Sequence, residues 1–161
     1  MLDRVTAVPL PDWALLQRHA TVPDRYTDSF AVDVEKVITL SDYARAFYGS
    51  WVFGLERAIL MTAYRRRMPV GDALKIAEGQ GERFAVWQLE ARCEDEMLLA
   101  DDSGRTRSWL AIEPFGQRTR LWFGSAVLPK PGSEISGLVN ALMPVHKLYS
   151  RVLLGAARRR I

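Results

Sequence analysis

The stretch Glu96–Pro129, which reads EMLLADDSGRTRSWLAIEPFGQRTRLWFGSAVLP, decides the fold. Much of it alternates between apolar and polar residues, the pattern of β-strands with one buried face. The turn residues of Asp101–Gly104 and Phe115–Gln117 interrupt this alternation, because glycine tolerates positive φ and aspartate bonds to turn backbone. We therefore predict one antiparallel meander of four strands: Arg83–Cys93, Glu96–Ala100, Arg105–Phe115 and Thr119–Pro129.

A further strand and an extension are expected before the meander. From Asp28 onward, large apolar residues alternate with small or acidic ones, which predicts a half-buried strand. Residues 1–27 contain three prolines and predict an irregular N-terminal extension, followed by a single domain over 28–161. Trp13 and Leu16 leave two alternatives open for this extension: docking on the domain, or docking on a second subunit of a homodimer.

Helical patterns flank the meander. Ser41 or Asp42 can cap a first helix, and a second is expected from about Ser50 to Arg66. The last helix has one apolar stripe, and it should kink at Pro144 or begin its second half there, because proline removes a backbone donor. The stripe consists of Ile135, Leu138, Val139, Leu142, Tyr149, Val152 and Leu153. The predicted class is α+β, a curved antiparallel sheet of about five strands covered by a long C-terminal helix.

Composition and charge favour a single globular domain that does not bind nucleic acid. With 161 residues, 48% of them apolar, the chain suffices for one domain with a sizeable core. The net charge of +3 is modest. The clusters Arg65–Arg67 and Arg158–Arg160 are expected at helix ends, where the helix dipole favours cations, so we expect no nucleic-acid partner.

The cysteine count and the lengths of the apolar segments predict the cellular location of the protein. Cys93 is the only cysteine, so no intrachain disulfide can form and a cytoplasmic protein is expected. An acidic residue and two prolines follow Met1 closely, so we expect no secretory signal. The most apolar segment, Trp51–Tyr64, is too short to cross a bilayer and carries charges at its centre. We expect no membrane partner.

Neither a cofactor nor a metal is expected. Gly79–Glu82 (GQGE) lacks the third glycine of the dinucleotide motif, and no lysine-containing phosphate loop occurs in the sequence. His19 and His146 are the only histidines, and no pair of ligands has zinc-like spacing.

His146 is the residue most open to a catalytic role. It falls on the inward stripe of the last helix, where a titratable group would face the sheet. Asp28 and Tyr26 are the candidates to assist it, and Asp24 lies close in sequence. We favour the alternative in which the histidine only bonds a backbone carbonyl and the aspartates cap turns, since catalysis needs several aligned groups.

Three tryptophans, Trp87, Trp109 and Trp122, fall one to a strand in the meander. Suitable registers would place them on one face, where they would line a ligand site together with polar groups such as His146, Tyr149 or Ser125. The rival interpretation is a solid core with some tryptophans bracing the outer face of the sheet.

The order of strand, two helices, meander and long C-terminal helix resembles that of the START-like, or helix-grip, superfamily. Asp24–Phe30 (DRYTDSF), Phe47, Trp51 and Met143–Leu148 (MPVHKL) resemble bacterial domain-of-unknown-function family 2867 in particular. The resemblance implies a curved sheet that holds the last helix across an apolar cavity. It implies no known activity. The residues that match the family pattern are Asp24, Tyr26, Asp28, Phe30, Trp51, Pro144 and His146.

Three functions follow as hypotheses. The leading one is a ligand-binding domain, non-enzymatic or of unassigned activity, that holds a small apolar molecule between the sheet and the C-terminal helix. An enzyme of cyclase or hydratase type, with His146 as general acid or base, is the first alternative. A protein-interaction module that uses the basic helix ends or a sheet edge is the second.

Overall fold

The computed structural model describes residues 2–55, 69–129 and 137–161, and in them the chain has an α+β fold. The strands are β1 (Thr6–Ala7), β2 (Tyr26–Val34), β3 (Arg83–Phe84), β4 (Trp87–Arg92), β5 (Glu96–Asp101), β6 (Thr106–Phe115) and β7 (Arg118–Val127). The helices are α1 (Gln17–Ala20), α2 (Leu40–Tyr48), α3 (described over residues 51–55), α4 (Val70–Ala77) and α5 (Gly137–Arg158).

The described strands form one open antiparallel sheet of seven strands, in the order β1-β2-β7-β6-β5-β4-β3. The prediction of about five strands was therefore too low. Each of the two additional strands, β1 and β3, has two residues, too few to show an alternating pattern. β3 comes from the predicted strand Arg83–Cys93, which a turn at Ala85, with φ of +58°, divides in two.

The inner face of the sheet carries the main core. One row across four neighbouring strands is Phe30, Phe123, Leu110 and Met97, all buried. Phe47 of α2 packs on this row, with its ring 5.1 Å from that of Phe123. Burial of large apolar and aromatic side chains is the main source of stability here. This face therefore holds α2, α4 and α5 against the sheet.

Local sequence explains most of the helix boundaries. Thr39, rather than Ser41 or Asp42, is the N-cap of α2, and it forms a capping box with Asp42. Hydrogen bonds from Thr39 to the Asp42 carboxylate lower the pKa of Asp42. α5 continues through Pro144 without a break. The predicted helix Ser50–Arg66 is helical over residues 51–55, and its remainder lies outside the described residues.

The N-terminal segment, residues 2–22, lies across the outer face of the sheet. Leu16 is fully buried there against a second apolar cluster that includes Trp109 and Trp122. The Leu15 N–H donates to Glu96 Oε2 over 2.8 Å, and the Trp109 indole N–H donates to the same oxygen over 2.8 Å. The segment thus packs on its own domain, one of the two alternatives left open by the sequence.

His19, near the end of this segment, is held between Arg25 and Glu90. The Arg25 guanidinium donates to its Nδ1 over 2.6 Å, and its Nε2 lies 2.7 Å from Glu90 Oε1. Because arginine is only a donor, Nδ1 accepts, and the neutral ring carries its proton on Nε2. Glu90 also pairs with Arg107 and Arg18, so cations surround the carboxylate that holds His19.

The buried state of His19 predicts a pH dependence of stability. Burial lowers the pKa of His19 below 6.5, Glu90 opposes this change, and Arg107 and Arg25 add to it. The unfolded chain therefore binds this proton first, and the free energy of unfolding should fall as the pH drops below about 6.5. Urea unfolding between pH 7.5 and pH 5.5 measures the effect.

His19→Gln is the matched variant, because its amide can accept from Arg25 and donate to Glu90 without titrating. We expect its stability to change less over this pH range than that of the wild type. Equal slopes for the two proteins would exclude His19 as the source.

Candidate ligand cavity

A cavity of about 170 Å³ lies between the inner face of the sheet and α5. Most of its wall is aromatic or aliphatic, and hydroxyl groups, one imidazole and part of Arg107 form the rest. The lining residues are Phe47, Tyr48, Phe53, Trp87, Thr106, Arg107, Ser108, Phe123, Ser125, His146, Tyr149 and Leu153. An apolar wall with few polar groups is the usual composition of a small-molecule site.

The strand register places the polar groups in one row. Asp28 of β2 lies opposite Ser125 of β7, and Ser125 lies opposite Ser108 of β6. The next inward row along these strands is the apolar one that contains Phe30 and Phe123. The inner face is therefore polar at one end of the cavity and apolar beside it.

Hydrogen bonds fix the Asp28 carboxylate. Oδ1 accepts from the Ser125 hydroxyl over 2.6 Å and from the Ser125 backbone N–H over 3.2 Å. Oδ2 accepts from the Tyr26 hydroxyl over 3.0 Å. Burial and the neighbouring Asp28 charge raise the pKa of Tyr26, so its hydroxyl stays protonated and remains a donor.

His146 reaches this network from α5. Its Nε2 lies 2.8 Å from Ser125 Oγ and 3.5 Å from Asp28 Oδ2. Because the Ser125 proton is directed to Asp28, Ser125 Oγ is left to accept from His146. This assigns the proton of the neutral ring to Nε2 and leaves Nδ1 as an acceptor.

The structure brings His146, Asp28 and Tyr26 together and separates Asp24 from them. Asp24 is exposed at a φ of 63°, in the turn that precedes β2, and it has no ion pair among the described residues. Its role fits the turn-forming alternative. The Asp28 carboxylate instead sits within the sheet, with only 9% of its side chain exposed.

The three meander tryptophans do not share a face. Trp87, with His146 and Tyr149, lines the cavity, whereas Trp109 and Trp122 lie on the outer face against Trp13. The prediction that all three share one face is therefore wrong: Trp109 and Trp122 brace the outer face, as the rival interpretation has it. The register shift between Leu89 and Ala91 in β4 changes which side chains face inward, and a bulge of this kind is not visible in the alternation of residues.

Several lining residues were not singled out by the sequence. Phe47 and Phe53 fall in predicted helices, and Ser108 and Thr106 are ordinary strand residues in sequence. The signal that could have found Ser108 is its pairing with Ser125 across β6 and β7, which requires the register.

The described residues contain no group of three or more histidine, cysteine, aspartate or glutamate side chains that could hold a metal ion. In the same part of the chain no helix is long and apolar enough to cross a membrane. Comparison with protein-family models, with curated proteins and with solved structures finds no match to this chain.

Proposed function

We propose that this protein binds a compact apolar molecule in the cavity between the sheet and α5. The observation that carries the proposal is a space of about 170 Å³ with aromatic walls and one polar end. The resemblance to helix-grip proteins belongs to the same proposal, since it implies an apolar cavity beneath the last helix.

The size of the cavity limits the ligand. An apolar cavity of about 150 Å³ is large enough to hold benzene, so this one suits a molecule with one ring or two small fused rings. A long acyl chain or a sterol would not fit within the described walls. The expected ligand is therefore small, compact and largely uncharged.

The polar end gives the ligand an orientation. Ser125 and the Asp28 carboxylate already bond each other, whereas His146 Nδ1 has no hydrogen-bond partner among the described residues. A ligand that donates one hydrogen bond, such as a phenol, would satisfy Nδ1 while its ring contacts Trp87 and Phe123.

The direct test is native mass spectrometry of freshly purified protein beside its denatured mass. An added mass that is lost on denaturation identifies a bound small molecule. Calorimetric titration with p-cresol then tests the cavity itself, with Ser108→Leu as the variant that fills it. We expect this leucine to weaken binding by more than about tenfold, because it occupies the ligand's space.

Gln117→Leu is the matched control, since Gln117 lies exposed in the turn between β6 and β7. Its binding should equal that of the wild type. If Ser108→Leu binds p-cresol as tightly as Gln117→Leu, or if the wild type does not bind it and carries no added mass, the cavity is not a ligand site.

The alternative of an interaction module stays a prediction. Arg158–Arg160 lie at the C-terminal end of α5, the location expected from the helix dipole. The cluster Arg65–Arg67 lies outside the described residues.

A further inference from the structure

We propose that the polar end of this cavity is a general-base site, in which His146 Nδ1 takes a proton from a weakly acidic C–H group of a bound apolar substrate. This inference rests on the proposed function, because the substrate must first occupy the cavity. It goes beyond binding by assigning a reaction class and a role to each polar group.

The hydrogen bonds leave one nitrogen available as a base. The Ser125 hydroxyl donates a hydrogen bond to Asp28 Oδ1 over 2.6 Å. In turn, Ser125 Oγ accepts a hydrogen bond from His146 Nε2 over 2.8 Å. Nδ1 then keeps its lone pair, and no described residue donates to it. A neutral imidazole with one nitrogen held and the other free is the form that a histidine base requires.

The network also stabilises the ring after proton transfer. Once Nδ1 is protonated, the ring becomes an imidazolium cation whose Nε2 lies 3.5 Å from Asp28 Oδ2. The attraction between the two charges offsets the cost of forming a cation beside an apolar wall. Asp28 and Ser125 are thus positioning residues, whereas His146 is the catalytic residue that contacts the substrate.

The rival assignment makes Ser125 a nucleophile. In that mechanism the histidine must accept the serine proton, but here that proton is directed to Asp28 and His146 donates to Ser125. The hydrogen-bond directions therefore favour proton abstraction from the substrate over attack by Ser125.

The step balances without any added reagent. The substrate C–H bond breaks, its proton bonds to His146 Nδ1, and its electron pair stays in the substrate, where it forms a new π bond as a leaving group departs or delocalises onto a carbonyl oxygen. The proton then returns to water or to the product.

The experiment uses 5-nitrobenzisoxazole, a compact fused-ring carbon acid. A base removes its C–H proton, the electron pair completes a nitrile, and the N–O bond breaks to give a coloured 2-cyano-4-nitrophenolate. Release of the phenolate is followed by absorbance with wild-type protein, and native mass spectrometry measures occupancy by the probe. We expect saturable turnover, which His146→Gln lowers by about 100-fold in kcat with KM nearly unchanged.

Two further variants test the positioning roles. Asp28→Asn should lower kcat with KM nearly unchanged, because the carboxylate that attracts the imidazolium is gone. Ser125→Ala should lower kcat, and Ser125→Thr should restore it by keeping the hydroxyl. Asp24→Asn, an exposed aspartate outside the network, is the control and should match the wild type.

Other charged and titratable groups lie near His146, and a further variant separates their effect from that of Asp28. Asp28 and Tyr26 approach from β2, and Lys147 and Tyr149 belong to α5. Lys147 Nζ lies 5.8 Å from the centre of the Tyr26 ring, so Lys147→Met is the variant that separates its charge from that of Asp28. A fall in kcat that appears in Lys147→Met and not in Asp28→Asn would overturn the assigned role of Asp28.

The outcomes separate the inference from the proposed function. If the probe binds and Ser108→Leu prevents this, but His146→Gln turns over as fast as the wild type, the general-base site is wrong and the binding cavity stands. If neither the probe nor p-cresol occupies the wild-type protein, both are wrong.

Discussion

Replacing Trp109 by alanine is expected to lower the free energy of unfolding by about 3–5 kcal/mol, the usual cost of truncating a buried aromatic side chain. Trp109 is fully buried on the outer face of the sheet. Its ring lies 5.9 Å from that of Trp13 and 6.1 Å from that of Trp122. Truncation also removes the indole donor from the buried Glu96 carboxylate.

Urea unfolding at pH 7.5 measures this loss. Trp109→Phe keeps much of the ring and removes the N–H, so it should cost about 1–3 kcal/mol and report on the bond to Glu96. Trp51→Ala is the matched control, because Trp51 is 68% exposed and should change stability by less than about 0.5 kcal/mol. A loss of less than about 1 kcal/mol for Trp109→Ala would contradict the outer cluster.

Leu16→Ala is expected to cost about 2–5 kcal/mol, although it lies in an extension that precedes the main sheet strands. Leu16 is fully buried, and its Cδ2 lies where Gly124 of β7 leaves room for it. A Cβ at position 124 would come within 2.9 Å of both Leu16 and Trp109. The leucine therefore occupies a shaped site, and its loss should leave a cavity.

The same unfolding measurement tests Leu16, with Leu148→Ala as its control, since Leu148 is 63% exposed. Binding of p-cresol should be unchanged in Leu16→Ala, because the ligand cavity is on the other face of the sheet. Equal stability of the two leucine variants would show that the N-terminal segment does not contribute to the fold.

The main architecture could be predicted from the sequence because its signals are local. Asp101–Gly104 supplies the turn between β5 and β6, and Gly116 lies in the turn between β6 and β7, so the antiparallel succession of these strands follows from residue types alone. The two-residue strands β1 and β3 could not be predicted from the sequence. β3 depends on the turn at Ala85, and β1 depends on the pairing of Thr6 with Ala31 at the edge of the sheet.

The candidate site depends on information that single residues do not contain. His146 was placed correctly on the inward stripe of the last helix, because helical periodicity determines that face. Its partner Ser125 is 97 residues from Asp28 in sequence, and only the register of β2 and β7 brings the two side chains together. The face of the sheet on which Trp109 and Trp122 lie is likewise determined by how the strands pair, and not by the spacing of the tryptophans in the sequence.

The pairing of residues 2–8 with β2 has a consequence for solubility. β2 is nine residues long, and its free edge is covered by β1, by the Val8 N–H bonded to Ser29, and by the paired backbone of Leu2 and Asp33. Unpaired backbone along a long strand is a template for another chain and for aggregation. A chain that lacked residues 2–8 would expose the unpaired edge of β2. We therefore expect the N-terminal segment to reduce self-association of the protein as well as to pack on the sheet.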